Sequence, residues 1–72
     1  MKHPTNSDVS DKLAKRLVQL YNDRDFVIGV LSYASTDEDR KEVLDFIERN
    51  NNVTVETVTV LAIKLYNRRQ NS

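Results

Sequence analysis

The sequence predicts an all-α domain, a compact bundle or orthogonal array of four helices over about 8–21, 24–34, 36–50 and 54–69. Three observations carry that expectation. Apolar residues recur at the helical period in the first and third segments. Ser7, Thr36 and Thr54, residues suited to N-caps, stand where three of the segments begin. And with no Cys and one His in 72 residues, neither a disulfide nor a zinc site is available to staple so short a chain. Helix packing, oligomerisation or both must hold it together.

The first segment is the cleanest. At about 100° per residue, Val9, Leu13, Ala14, Leu17, Val18, Leu20 and Tyr21 share one half of the circumference. Asp11, Lys12, Lys15, Arg16 and Gln19 occupy the other half. The polar residues before it, 1–7, hold the only Pro and are expected to form a flexible N-terminal tail ahead of a single helical domain, 8–72.

Asn22 and Asp23 interrupt the pattern. In the next segment Phe26, Val27, Ile28, Val30, Leu31, Tyr33 and Ala34 cover most of the girth, which predicts a buried helix. Gly29 sits on the remaining side, where it would permit a close helix approach or be simply tolerated.

Thr36 followed by Asp37, Glu38 and Asp39 is a cap with acids in the first turn. Val43, Leu44, Phe46 and Ile47 make the inner face of this third helix, and Lys41, Glu42, Asp45, Glu48 and Arg49 the outer one. It should stop within Asn50-Asn51-Asn52, because Asn tolerates the left-handed conformation common at helix C-termini.

The fourth segment, VTVETVTVLAIKLY from Val53 to Tyr66, is the longest apolar stretch. Val55, Val58, Leu61, Ala62, Leu65 and Tyr66 form its main stripe. Val60 and Ile63 fall outside it, on a second narrow stripe between Glu56 and Asn67. Lys64, Arg68 and Arg69 suit the negative end of the helix dipole. A strand reading competes at 26–33 and 53–60, which are rich in β-branched and aromatic residues. A two-stranded parallel sheet would leave too much open edge, so the helical reading is preferred.

Net charge is zero but unevenly placed. Residues 1–20 carry four bases against two acids, 21–48 three against eight, and 49–72 four against one. Basic helices packed beside an acidic one would account for this.

Several chemistries are excluded. One Gly cannot build a phosphate-binding loop. His3 lies in the tail, and no Cys or second His is present to pair with a nucleophile. Asp37, Glu38 and Asp39 are adjacent, so they point in different directions around a helix and lack the spacing of a calcium loop. The expectation is therefore no enzyme activity, no catalytic residue, no cofactor and no metal. No apolar run approaches the ~20 residues of a membrane span, and no leader pattern opens the chain. A cytoplasmic location follows, in which the Asn52-Val53-Thr54 sequon has no meaning. Surface binding to a membrane through Lys12, Lys15 and Arg16 is disfavoured, because the first helix needs its apolar face for the core.

Two binding functions remain. The preferred one is a protein-interaction or regulatory domain, with Val60, Ile63, Glu56 and Asn67 as the interface to a protein partner or to a second copy in a homodimer. The alternative is a small helix-turn-helix-like DNA-binding regulator built from 36–50 and 54–69. Its nucleic-acid contacts would be Asn52, Thr54, Thr57, Lys64, Arg68 and Arg69. Glu56 on the reading face and the acidic third helix count against it.

Overall fold

Four helices account for most of the residues that the computed structural model describes, 6–50 and 52–71: α1 (Asn6–Tyr21), α2 (Arg24–Tyr33), α3 (Asp37–Arg49) and α4 (Val55–Gln70). No strand occurs among them, so both segments with strand propensity are resolved as helix, with Val53 and Thr54 leading into α4. α1 packs chiefly on α3, and α2 on α4. Lesser α1–α2 and α3–α4 contacts close the ring into a four-helix bundle.

Each helix sends one stripe inward. Leu13 and Leu17 of α1, Val43 and Ile47 of α3, and Val58, Ala62 and Leu65 of α4 meet Val27 and Val30 of α2. Ala34, just past α2, closes the cluster. These are the 3–4-residue spacings expected for a core-facing stripe. Burying each Leu contributes about 2 kcal/mol, which is substantial in a domain this small.

The caps follow sequence chemistry. Thr36 Oγ1 accepts from the Asp39 N–H at 3.2 Å, and Thr54 Oγ1 accepts from the Thr57 N–H at 3.2 Å. Asp23 caps α2 by accepting from the Phe26 N–H at 3.1 Å, a role that its place in the Asn22–Asp23 break had not revealed. Tyr21 at the end of α1 donates to the Val53 carbonyl at 2.6 Å and meets Phe26 edge-on at 5.3 Å. It thereby ties the segment entering α4 to the α1–α2 corner, and desolvation raises its pKa above the usual 10.0.

Several expectations need correction. Asn6 and Ser7, expected in an N-terminal tail, belong to α1; the rest of that expected tail, residues 1–5, lies outside the described residues. Ser7 is therefore inside the helix rather than its cap. Among the described residues the left-handed one is Asn22 (φ 51°), while Asn50 is extended (φ −118°) and Asn51 lies outside the described residues. α2 is not buried all round. Only Val27 and Val30 are buried in it, and Ile28 is 57% exposed, since α2 packs on α1 and α4 and leaves its outer side in solvent. The apolar margins of α1 and α4, Val18, Leu20, Val55 and Tyr66, are also more exposed than a half-circumference stripe implies. A ring of four thin helices covers a narrower arc of each helix than that.

Of the two readings open for Gly29, the tolerated helix glycine is the one observed. A Cβ built there meets nothing within 4 Å, so no neighbouring helix requires the glycine. Its φ is not positive either. Gly29→Ala should raise the unfolding free energy by about 0.5–1 kcal/mol, by restricting the unfolded chain and favouring the helix. Urea titration of the two proteins checks this, and a loss of stability would show that α2 and α4 approach more closely than described.

Candidate functional site

The core-facing stripe of α4, centred on Val58, Ala62 and Leu65, fixes what its opposite side presents. Helical geometry puts Glu56, Val60, Ile63 and Asn67 on that opposite side, at spacings of four, three and four residues. Val60 is 51% exposed, Ile63 is half-buried, and Glu56 and Asn67 are exposed. The four residues expected to form an interface thus occupy one continuous outward ridge.

Beside the ridge runs a groove of about 640 Å³ open to solvent. Val55, Val60 and Leu61 of α4 and Phe46 of α3 supply its apolar lining, and Glu56 and Lys64 border it. Phe46 is half-buried, since α3 turns its Val43 and Ile47 to the core and leaves the ring at the seam with α4. On the other flank Tyr66 meets Tyr33 of α2 edge-on at 5.4 Å. Thr57 and Thr59 complete the lining of the groove.

Of the candidate nucleic-acid residues, Thr57 and Lys64 line one groove, with Thr54 beside Thr57, but the two arginines are not brought to them. Asn52, Thr54 and Thr57 lie at the start of α4 and Arg68 and Arg69 at its end, about 20 Å away along the axis. Thr54 and Thr57 engage each other, with hydroxyl oxygens 2.9 Å apart. Both arginines are held against the N-terminal half of α3. Arg69 Nε donates to Asp39 Oδ2 at 2.6 Å, and its Nη2 donates to Asp39 Oδ1 at 3.3 Å and Glu38 at 3.4 Å. Arg68 Nη2 donates to Glu42 at 3.3 Å and lies 3.9 Å from Asp39 Oδ1. The hydrogen bond to Asp39 is the main reason that the Arg69 guanidinium holds its proton more tightly than an ordinary arginine. Lys64 stands apart from these pairs, at the border of the groove.

The uneven charge along the chain is therefore matched within the fold. Basic α4 meets acidic α3 through these contacts, and Arg16 of α1 approaches Glu48 of α3 at 3.5 Å. Two residues that sequence reasoning passed over organise the α3 end. Asp39, one of the first-turn acids, is 2% exposed. Arg40 reaches away from α3 and donates to the Ala34 carbonyl at 2.7 Å, the Leu31 carbonyl at 2.9 Å and Ser10 Oγ at 2.7 Å. The signal was their register. Arg40, Val43 and Ile47 follow the three- and four-residue steps of the inner face, so a charge sits on an apolar stripe.

Among the described residues no cluster of His, Cys, Asp or Glu could hold a metal ion, and no helix is long and apolar enough to cross a membrane. Comparison with known proteins finds no matching family, no similar curated protein and no similar solved structure.

Proposed function

We propose that this chain is a non-enzymatic protein-interaction domain of the cytoplasm that docks a partner on the outward ridge of α4. The observation that carries the reading is Val60. It is 51% exposed at the centre of a ridge that also holds Ile63, and it borders an apolar groove shared with Phe46. A β-branched residue so exposed does little for the core, whereas covering it together with Phe46 and Leu61 would remove a connected apolar patch from water. The arginines of α4 favour this reading over DNA binding, because their charge is already matched by Asp39, Glu38 and Glu42. A duplex would have to displace those contacts.

The test uses a photo-reactive benzophenone amino acid at position 60, with a second chain carrying it at Lys12 on the exposed side of α1. Irradiation in cells should give one discrete adduct from position 60 and none from position 12. Val60→Lys, tested with the photo-reactive group at position 63, should abolish the adduct while changing stability by no more than about 0.5 kcal/mol, as expected for an exposed site. Absence of a discrete adduct at 60, or an adduct that survives Val60→Lys, would sink the docking reading.

A further inference from the structure

We infer that the occupant of this ridge is a second copy of the chain, with the two α4 helices antiparallel about a two-fold axis that passes between residues 61 and 62. The inference rests on the docking reading above and assigns its partner.

The spacing comes first. Steps of four, three and four are those of a coiled-coil seam, in which successive ridge residues face a neighbouring helix. The order Glu56, Val60, Ile63, Asn67 also has a centre. Reversed about its midpoint, it sets Val60 against Ile63 of the second copy, and Glu56 against Asn67 of the second copy. Both apolar residues then meet apolar residues, and both polar residues meet polar ones. That is the self-complementarity a two-fold interface demands, where every contact occurs twice with the roles exchanged.

Charge then selects the direction. A parallel pairing would bring Glu56 against Glu56 inside the seam, where repulsion is strengthened by partial burial. The antiparallel pairing gives each Glu56 carboxylate an Asn67 amide that can donate to it. At the flanks it places Lys64 beside Thr57 and Tyr66 beside Thr59, so no like charges meet. The formal net charge of the chain is zero, so no long-range repulsion holds two copies apart.

The contact is small. From residue 56 to residue 67 the seam runs about 16 Å, short of the length needed for a standard interface. The pair belongs with weak, reversible assemblies, populated between about 10 µM and 1 mM.

The absence of cysteine makes the register measurable without background. Glu56→Cys and Asn67→Cys chains, both altered at exposed positions, are mixed at about 1 mM, the weak end of specific association, and oxidised mildly. The mixed disulfide between 56 and 67 should exceed either homodisulfide about tenfold. Positions 56 of the two copies lie about 16 Å apart in the antiparallel pair, and a disulfide needs Cα atoms within about 7 Å. Lys12→Cys gives the collision background. Products in the proportions of random collision, or homodisulfides in excess, overturn the antiparallel pair. So does a wild-type chain that sediments as an 8.4 kDa monomer throughout that range. A photo-adduct at position 60 to a different protein, with no self-adduct, would defeat this inference and leave the docking reading standing. No discrete adduct at all would remove both.

Discussion

Arg40→Met lowers the unfolding free energy by about 3 kcal/mol, since three charge-assisted hydrogen bonds go at once and each contributes roughly 1–2 kcal/mol net. The guanidinium joins three elements. Its Nε and Nη2 take the carbonyls of Ala34 and Leu31 at the end of α2, and its Nη1 takes the Ser10 hydroxyl on α1. The last carbonyls of a helix have no partners within it, and α2 has only ten residues over which to spread that deficit. A cation there also meets the negative end of the helix dipole. Ala34 is fully buried, so water cannot simply replace the lost donor at that corner. Met keeps the unbranched apolar stem of the side chain, which separates loss of the fork from loss of packing. Arg40→Lys should recover less than half of the difference, because one ammonium cannot follow the planar fork to all three acceptors. Ser10→Ala, which removes one arm, should lose only about 0.5–1 kcal/mol. Chemical denaturation of the three variants checks the order. Equal losses for Met and Ser10→Ala would show that the carbonyl arms contribute nothing.

Arg40 also marks where sequence stops being sufficient. The amphipathic period located all four helices to within two residues of their ends, because burial of one stripe is what selects the helix. The caps at Thr36 and Thr54 were legible for a similar reason. The hydroxyl, the N–H it serves and the first turn are all local. The arcs were harder. Leu20, Val55 and Tyr66 fall on the apolar half of a helical projection, yet how wide an arc is covered depends on where neighbours stand, and each helix here has two. Long-range polar contacts were least legible. Asp39 and Arg69 are thirty residues apart, and although Asp39 stands four residues before the buried Val43, nothing local names Arg69 as its partner. The outward ridge of α4 lies between these extremes. Its residues could be named from the period of α4 alone, but their exposure required knowing that α2 and α3 flank the opposite side.

The Asp39–Arg69 pair, of which only the carboxylate is buried, should respond asymmetrically to mutation, and the asymmetry is the second large effect. Arg69→Met strands the Asp39 carboxylate, 2% exposed, without its principal partner. A buried carboxylate left unpaired typically loses about 3–5 kcal/mol. Arg68 Nη2 is 3.9 Å from the same carboxylate and can move closer, so the lower end of that range applies to Asp39. Asp39→Leu should be far milder. The Arg69 side chain is 39% exposed, so its guanidinium can turn to water and still meet Glu38, while a leucine leaves no buried carboxylate to be paired. The double variant, Asp39→Leu with Arg69→Met, should then recover most of what Arg69→Met loses, because no buried charge remains to be satisfied. A double-mutant cycle by urea denaturation measures this directly. If Asp39→Leu proved as damaging as Arg69→Met, and the double variant equalled their sum, the carboxylate would be a stabilising element in its own right. Recovery would instead assign the pair a different role. It would hold the end of α4 in one register against α3, so that the outward ridge and the groove beside Phe46 are presented in a fixed orientation.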